Sequence, residues 1–199
     1  MSRCSDDTNS MMVLSLTHLG LLIATAILLS VVLFFIFNND WQRTAELQAQ
    51  ASDFSNLLCD TDNSFFERIN TFTFTHKDYP YSVRISSEYI MLSAPGSWQN
   101  TLKVATKFLI RPWPRMSPQN WTTGEDLHDF LTTTFNHTGT QNDPLSSQNF
   151  TVFLHQLNNT LTSLAKEPLN ILIDKPIFIE KTFLYSDEKK YDFLLLYQL

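Results

Sequence analysis

The sequence predicts an α+β protein on a membrane anchor. Between Asp7 and Asp40 the chain has no charged residue, and Leu19–Phe37 is almost wholly apolar. Behind that run an unbroken helical pattern reaches Cys59. Past Ser64 the apolar period changes from near 3.6 to 2, and helical spacing returns only in the middle of the remaining chain. These features fit a transmembrane helix extended as a long helix, then an antiparallel β-sheet domain with two inserted helices.

At about 1.5 Å per residue the apolar run is roughly 28 Å long, close to the roughly 30 Å hydrocarbon core of a bilayer. Inside lipid every backbone polar group must be paired internally, so a spanning segment is a helix. A cleaved secretory signal would be shorter and followed closely by small residues. Here the exit is Phe37-Asn-Asn-Asp-Trp41, and the nearest Ala-x-Ala, Ala49-Gln-Ala51, lies well beyond it. The expected layout is a polar tail at 1–10, a transmembrane helix at 11–37, a juxtamembrane helix at 38–60 and an extracytoplasmic domain at 61–199.

Trp41 falls just outside the apolar run, where an amphipathic ring suits the membrane interface. Leu47, Ala51, Phe54 and Leu58 continue a helical stripe, and no Pro or Gly interrupts Leu21 to Cys59. Two surfaces can cover that stripe: the chain's own domain, or the same helix of a neighbouring copy. The turn cluster Asp60-Thr-Asp-Asn-Ser64 ends the helix.

Strict alternation in Thr71–Thr75, then Tyr81, Val83 and Ile85, then Tyr89–Leu92 and Leu102–Ile110, reads as an antiparallel meander. Thr122-Thr-Gly-Glu125 matches a capping box opening a helix with Leu127, Phe130 and Leu131 on one face. A second helix carries Phe150, Phe153, Leu154, Leu157, Leu161 and Leu164 and is closed by Pro168. Strands return at Leu169–Ile173, Ile177–Tyr185 and Tyr191–Gln198, the last two joined by Ser186-Asp-Glu-Lys-Lys190.

A net charge of −6 with dispersed acidic residues opposes a nucleic-acid partner, which would need a basic face. Arg3 before the span and Arg43 after it give a thin bias toward the N-terminus inside and the domain outside. The sequons at Asn120, Asn136, Asn149 and Asn158 all follow the span and suit that placement. Cys4 and Cys59 then lie on opposite sides of the bilayer. Cys59 is left as a buried thiol or an intermolecular bridge.

Glu125, His128 and Asp129 share a helix face and could present a carboxylate–imidazole–carboxylate set. Acidic residues in a first helical turn also follow from the macrodipole alone, and no metal or other cofactor is expected. Ser163-Leu-Ala-Lys166 has Ser–Lys spacing without the companion motifs of acyl enzymes. No catalytic set converges, so a non-enzymatic role is expected. The segment that stands out is Arg111-Pro-Trp-Pro-Arg115, stiffened by prolines and carrying Trp and Arg. Arg111, Trp113 and Arg115 either contact a protein or glycan, or Trp113 folds back as a lid on the core.

A short polar head, an apolar stretch, a helix to about residue 59 and then an antiparallel sheet resemble the layout of archaeal type IV pilin-like proteins. In those, the helix forms a spine and the sheet domain a head. The processing site of that family has no counterpart in Ser15-Leu-Thr-His-Leu-Gly20, which lacks a following Glu. The resemblance implies a single-pass envelope protein that contacts other envelope or pilus-type proteins; self-association through the juxtamembrane helix is the second of the two readings of the apolar stripe. The alternative is a surface module binding a small ligand or glycan.

Overall fold

The computed structural model describes residues 6–115 and 121–199, with side chains from Thr17 onward except those of 36–38 and Trp98. Helix α1 runs from Asp6 to Asp62. Two compact units divide the chain after Arg43. In the first, every described side chain from Thr17 to Phe35 is exposed. Among the described residues this is the one helix long and apolar enough to cross a membrane.

The second unit, Thr44–Leu199, is the α+β domain. It therefore begins inside the expected juxtamembrane helix rather than at residue 61, because the last turns of α1 belong to its core. Eight strands follow: β1 (Arg68–Phe72), β2 (Ser82–Ile85), β3 (Tyr89–Pro95), β4 (Thr101–Lys107), β5 (Trp113–Pro114), β6 (Leu169–Ile171), β7 (Ile177–Ser186) and β8 (Lys189–Tyr197). Helices α2 (Gly124–Phe135) and α3 (Ser147–Lys166) separate β5 from β6. The strands form two four-stranded sheets, β1-β7-β8-β5 and β4-β3-β2-β6. All pairings are antiparallel except β5 with β8.

The first sheet is covered on both faces, and β8 shows how. Phe193, Leu195 and Tyr197 join the cluster formed with α2 and α3, whereas Leu194 and Leu196 join the cluster of α1 and the second sheet. A strand buried on both faces loses the apolar–polar alternation, which explains the unbroken run Phe193–Tyr197. In β7, Ile177 and Ile179 face the α1 side while Phe178 and Leu184 face the other.

Two local departures from the sequence reading have simple causes. The alternation Thr71–Thr75 is strand only as far as Phe72. Beyond it the Thr75 N–H donates to Gln50 Oε1 of α1 at 3.2 Å and Phe74 is buried in the core, so the chain leaves the ladder to cover the helix. The capping box is shifted by one residue. Thr123 is the N-cap: its hydroxyl accepts from Asp126 N at 3.1 Å, and Asp126 Oδ2 accepts from Thr123 N at 3.0 Å. That register sets Gly124 against β7, where an added Cβ would lie 2.5 Å from Glu180 Oε1. The hairpin between β7 and β8 narrows to Asp187-Glu188, with Asp187 at φ +52°.

Candidate functional site

The helix stripe is not an open surface. Leu47, Ala51, Phe54 and Leu58 are all 0% exposed and belong to the core shared by the two sheets. Phe54 meets Phe72, Phe74 and Phe108 with ring centroids 5.2, 6.0 and 6.1 Å apart. Polar contacts hold the same helix from its flanks. Gln48 Nε2 donates to Thr106 Oγ1 at 3.2 Å, and Tyr79 OH donates to Glu46 Oε2 at 3.0 Å. Of the two surfaces expected to cover this stripe, the chain's own domain does so, which leaves these four side chains no face for a neighbouring copy.

The Trp-Pro segment is built into the sheet rather than held out as a loop. Trp113 and Pro114 pair in parallel with Leu195 and Leu196, and Arg115 N donates to Leu196 O at 2.7 Å. Trp113 is half-buried, its ring 5.6 Å from that of Phe193. It packs against the α2–α3 cluster, as a lid does. Arg111 alone stays in solvent, its Nη2 3.9 Å from Glu88 Oε1. Arg115 is only 7% exposed. Its guanidinium carbon lies 3.4 Å from the centre of the Trp121 ring, and Nε and Nη2 donate to Trp121 O at 3.1 and 3.0 Å. Burial pushes the Arg115 pKa down to about 10. Arg111, Trp113 and Arg115 thus do not form one binding surface, since the three side chains have three different surroundings.

Glu125, His128 and Asp129 line a groove of about 490 Å³ beside β1 and β7, with Glu67, Glu180 and Thr182 opposite. Most of its polar groups are already engaged. Glu67 Oε1 accepts from Thr182 Oγ1 and Phe183 N at 3.1 and 3.0 Å, and Glu180 Oε2 accepts from Tyr197 OH at 2.8 Å. His128 Nδ1 lies 2.7 Å from Thr138 O, and a carbonyl can only accept, so Nδ1 carries the proton. Among the described residues no three His, Cys, Asp or Glu side chains are placed to hold a metal ion. Ser163 and Lys166 are both exposed at the end of α3.

Cys59 is partly exposed and unpaired. Burial, followed by the nearby Asp62 and Asp60 carboxylates, raises its pKa and so keeps it a thiol. Trp41 is 70% exposed. Of the sequons, Asn136 is exposed at the left-handed C-cap of α2, Asn158 is exposed on α3 and Asn149 is half-buried in the first turn of α3. Asn120 lies outside the described residues.

Sequence reasoning missed two exposed rings of the domain. Phe65 and Phe66 are 88% and 78% exposed, and Ile69 nearby on β1 is 58% exposed. The strand pairs with β7 on one side, and no described strand pairs with its other edge. The signal was present in Ser64-Phe-Phe-Glu67, where two rings follow a turn cluster outside any periodic stripe. No family model, no curated protein and no solved structure matches this chain.

Proposed function

We propose that the protein is a non-enzymatic, single-pass membrane component of a cell envelope, with its N-terminus inside and its domain outside, that works by self-assembly. The observation that carries this reading is the pair Phe65–Phe66 beside the open edge of β1. Adjacent rings left in water gain stability only when another surface covers them, and an open strand edge offers unpaired N–H and C=O groups. A second copy is the occupant this edge suits. Two β1 strands can pair antiparallel about a two-fold axis, so that one patch covers its own equivalent.

Archaeal pilin-like proteins are the class of assembling envelope component whose layout the chain resembles. Here the contact moves from the buried stripe to the β1 edge.

Light scattering of the full chain in detergent micelles tests the reading. The wild type should be a dimer or larger. Phe65→Ser with Phe66→Ser should be monomeric with an unchanged melting temperature, because neither ring is part of the core. A monomeric wild type, or a variant that keeps the larger size, would sink the proposal.

A further inference from the structure

The four strands of the second sheet, β4-β3-β2-β6, carry Arg84, Lys103 and Lys107 and no acidic residue, in a chain whose net charge is −6. All three cations stand on its outer face. The ladder aligns Val83 with Leu92, Ile85 with Ile90 and Leu92 with Val104, all of them buried. Arg84, Lys103 and Lys107 occupy the alternate positions, point away from the core and are exposed. Among the described residues no carboxylate lies within ion-pair distance of any of the three. Glu88, in the turn before β3, faces Arg111 instead.

Strand β4 is an edge of that sheet, paired with β3 on one side and with no described strand on the other. The bonds beyond its two ends fix which groups stay open. Phe108 N donates to Glu88 O, and Gly96 N donates to Asn100 O, both at 2.8 Å. Bonded and non-bonded pairs alternate along an antiparallel ladder. Leu102, Val104 and Thr106 therefore bond to β3, whereas Thr101, Lys103, Ala105 and Lys107 turn their N–H and C=O groups to the open edge.

Lysines on an edge strand discourage pairing with a like edge. Two copies joined β4 to β4 about Ala105 would set Lys103 opposite Lys107 twice, and like charges directly opposite are destabilising. Guarding the edge asks nothing of Arg84, however, which lies on β2 with a strand on either side. We propose that the β4 edge and this basic face dock an extended acidic segment of another protein, added antiparallel to β4. Its main chain meets the open groups of β4, its carboxylates stand opposite Lys103 and Lys107, and its alternate apolar side chains point inward beside Leu102 and Val104. The site is separate from the β1 edge, which belongs to the first sheet.

The probe is a labelled peptide as long as β4, acetyl-Val-Glu-Val-Glu-Val-Glu-Val-amide, titrated by fluorescence anisotropy into the full chain in non-ionic detergent at pH 7 and low salt. We expect saturable binding that weakens as salt rises. The same peptide with Lys in place of Glu, and one N-methylated at its glutamates, should each bind at least tenfold more weakly, the first for its charge and the second for its lost N–H donors. Lys103→Glu with Lys107→Glu changes only exposed side chains, so the melting temperature should hold while the preference reverses in favour of the Lys peptide. No saturable binding would leave the lysines as guards of the edge and overturn the proposal. Equal binding of the N-methylated peptide would show attraction to surface charge without strand pairing, and would overturn it too, as would a charge-reversed chain that still prefers the acidic peptide.

Discussion

Lys181 Nζ lies 2.9 Å from Asp192 Oδ2, on the α1 face of the β7–β8 pair, and caps a helix that ended 119 residues earlier in the chain. The same ammonium donates to Ser64 O at 2.8 Å and to the Asp62 carbonyl. Helix α1 has no basic residue in its last turn. Its free carbonyls, at the negative end of the helix dipole, are therefore satisfied from a distant strand. Lys181 is 3% exposed, a burial it tolerates because all three partners are oxygens.

Lys181→Met keeps the length of the side chain and removes all three bonds. Hydrogen bonds from charged groups contribute about 1.5–3 kcal/mol each, but Asp192 is half-exposed and regains water when released. A net loss of about 2–3 kcal/mol is expected from urea unfolding of the full chain in detergent. A loss under about 0.5 kcal/mol would mean that water replaces Lys181 at the helix end.

The buried stripe sets where the domain can be cut. A fragment beginning at Thr44 keeps Leu47, Ala51, Phe54 and Leu58 and should show a cooperative melt by circular dichroism. A fragment beginning at Thr61 lacks four fully buried side chains, and each such truncation costs about 2–5 kcal/mol, Ala51 less. That total exceeds the usual stability of a domain, so the shorter fragment should be unfolded. Leu47→Glu with Phe54→Glu in the full chain should likewise unfold it, because two carboxylates would be buried without partners.

The capping box of α2 makes part of the stability depend on acid. The Thr123 N–H holds the Asp126 carboxyl below its ordinary value of 3.8, opposed by slight burial and helped by the Thr123 side chain and the Thr122 N–H. A carboxyl depressed on folding stabilises fully above its unfolded pKa, and the contribution fades as pH falls through the lower, folded value. Asp126→Asn should therefore lower the urea midpoint at pH 7, consistent with a cap contribution of about 1 kcal/mol, and the gap to wild type should narrow as pH falls below the ordinary carboxyl value of 3.8. A gap of the same size on both sides of that value would show that the charge on Asp126 has no part in the cap.

The helical stripes and the switch to a period of two were legible in the sequence because burial on one face leaves a periodic trace. What covers each face left none. Leu47, Ala51, Phe54 and Leu58 carry the same pattern whether a sheet or another helix lies over them, and only the tertiary arrangement assigns the sheet. Lys181 sits in Glu180-Lys-Thr182, a polar stretch that reads as solvent-facing. Its burial depends on where α1 ends, far away in sequence. Trp113-Pro114 looked like a loop because prolines usually interrupt ladders, yet β5 is an edge strand, where a missing N–H is tolerated. The acidic face Glu125–Asp129 was readable from helical spacing. Its opposite wall of Glu67 and Glu180 was not, being brought there by the β1–β7 pairing.

Trp113 offers a direct test of the lid arrangement. Truncating a fully buried indole typically costs about 3–5 kcal/mol, and Trp113 is half-buried with one ring partner, Phe193. Trp113→Ala should therefore destabilise the full chain by about 2–3 kcal/mol, a fall of about 4–12 °C in melting temperature for a domain of this size. Trp113→Phe should recover more than half of that loss, since a smaller ring can still lie against Phe193 while the backbone pairing to Leu195 and Leu196 is untouched. An Ala variant that melts with the wild type would mean the ring contributes nothing to the core, and would return Trp113 to the outer surface as a contact residue.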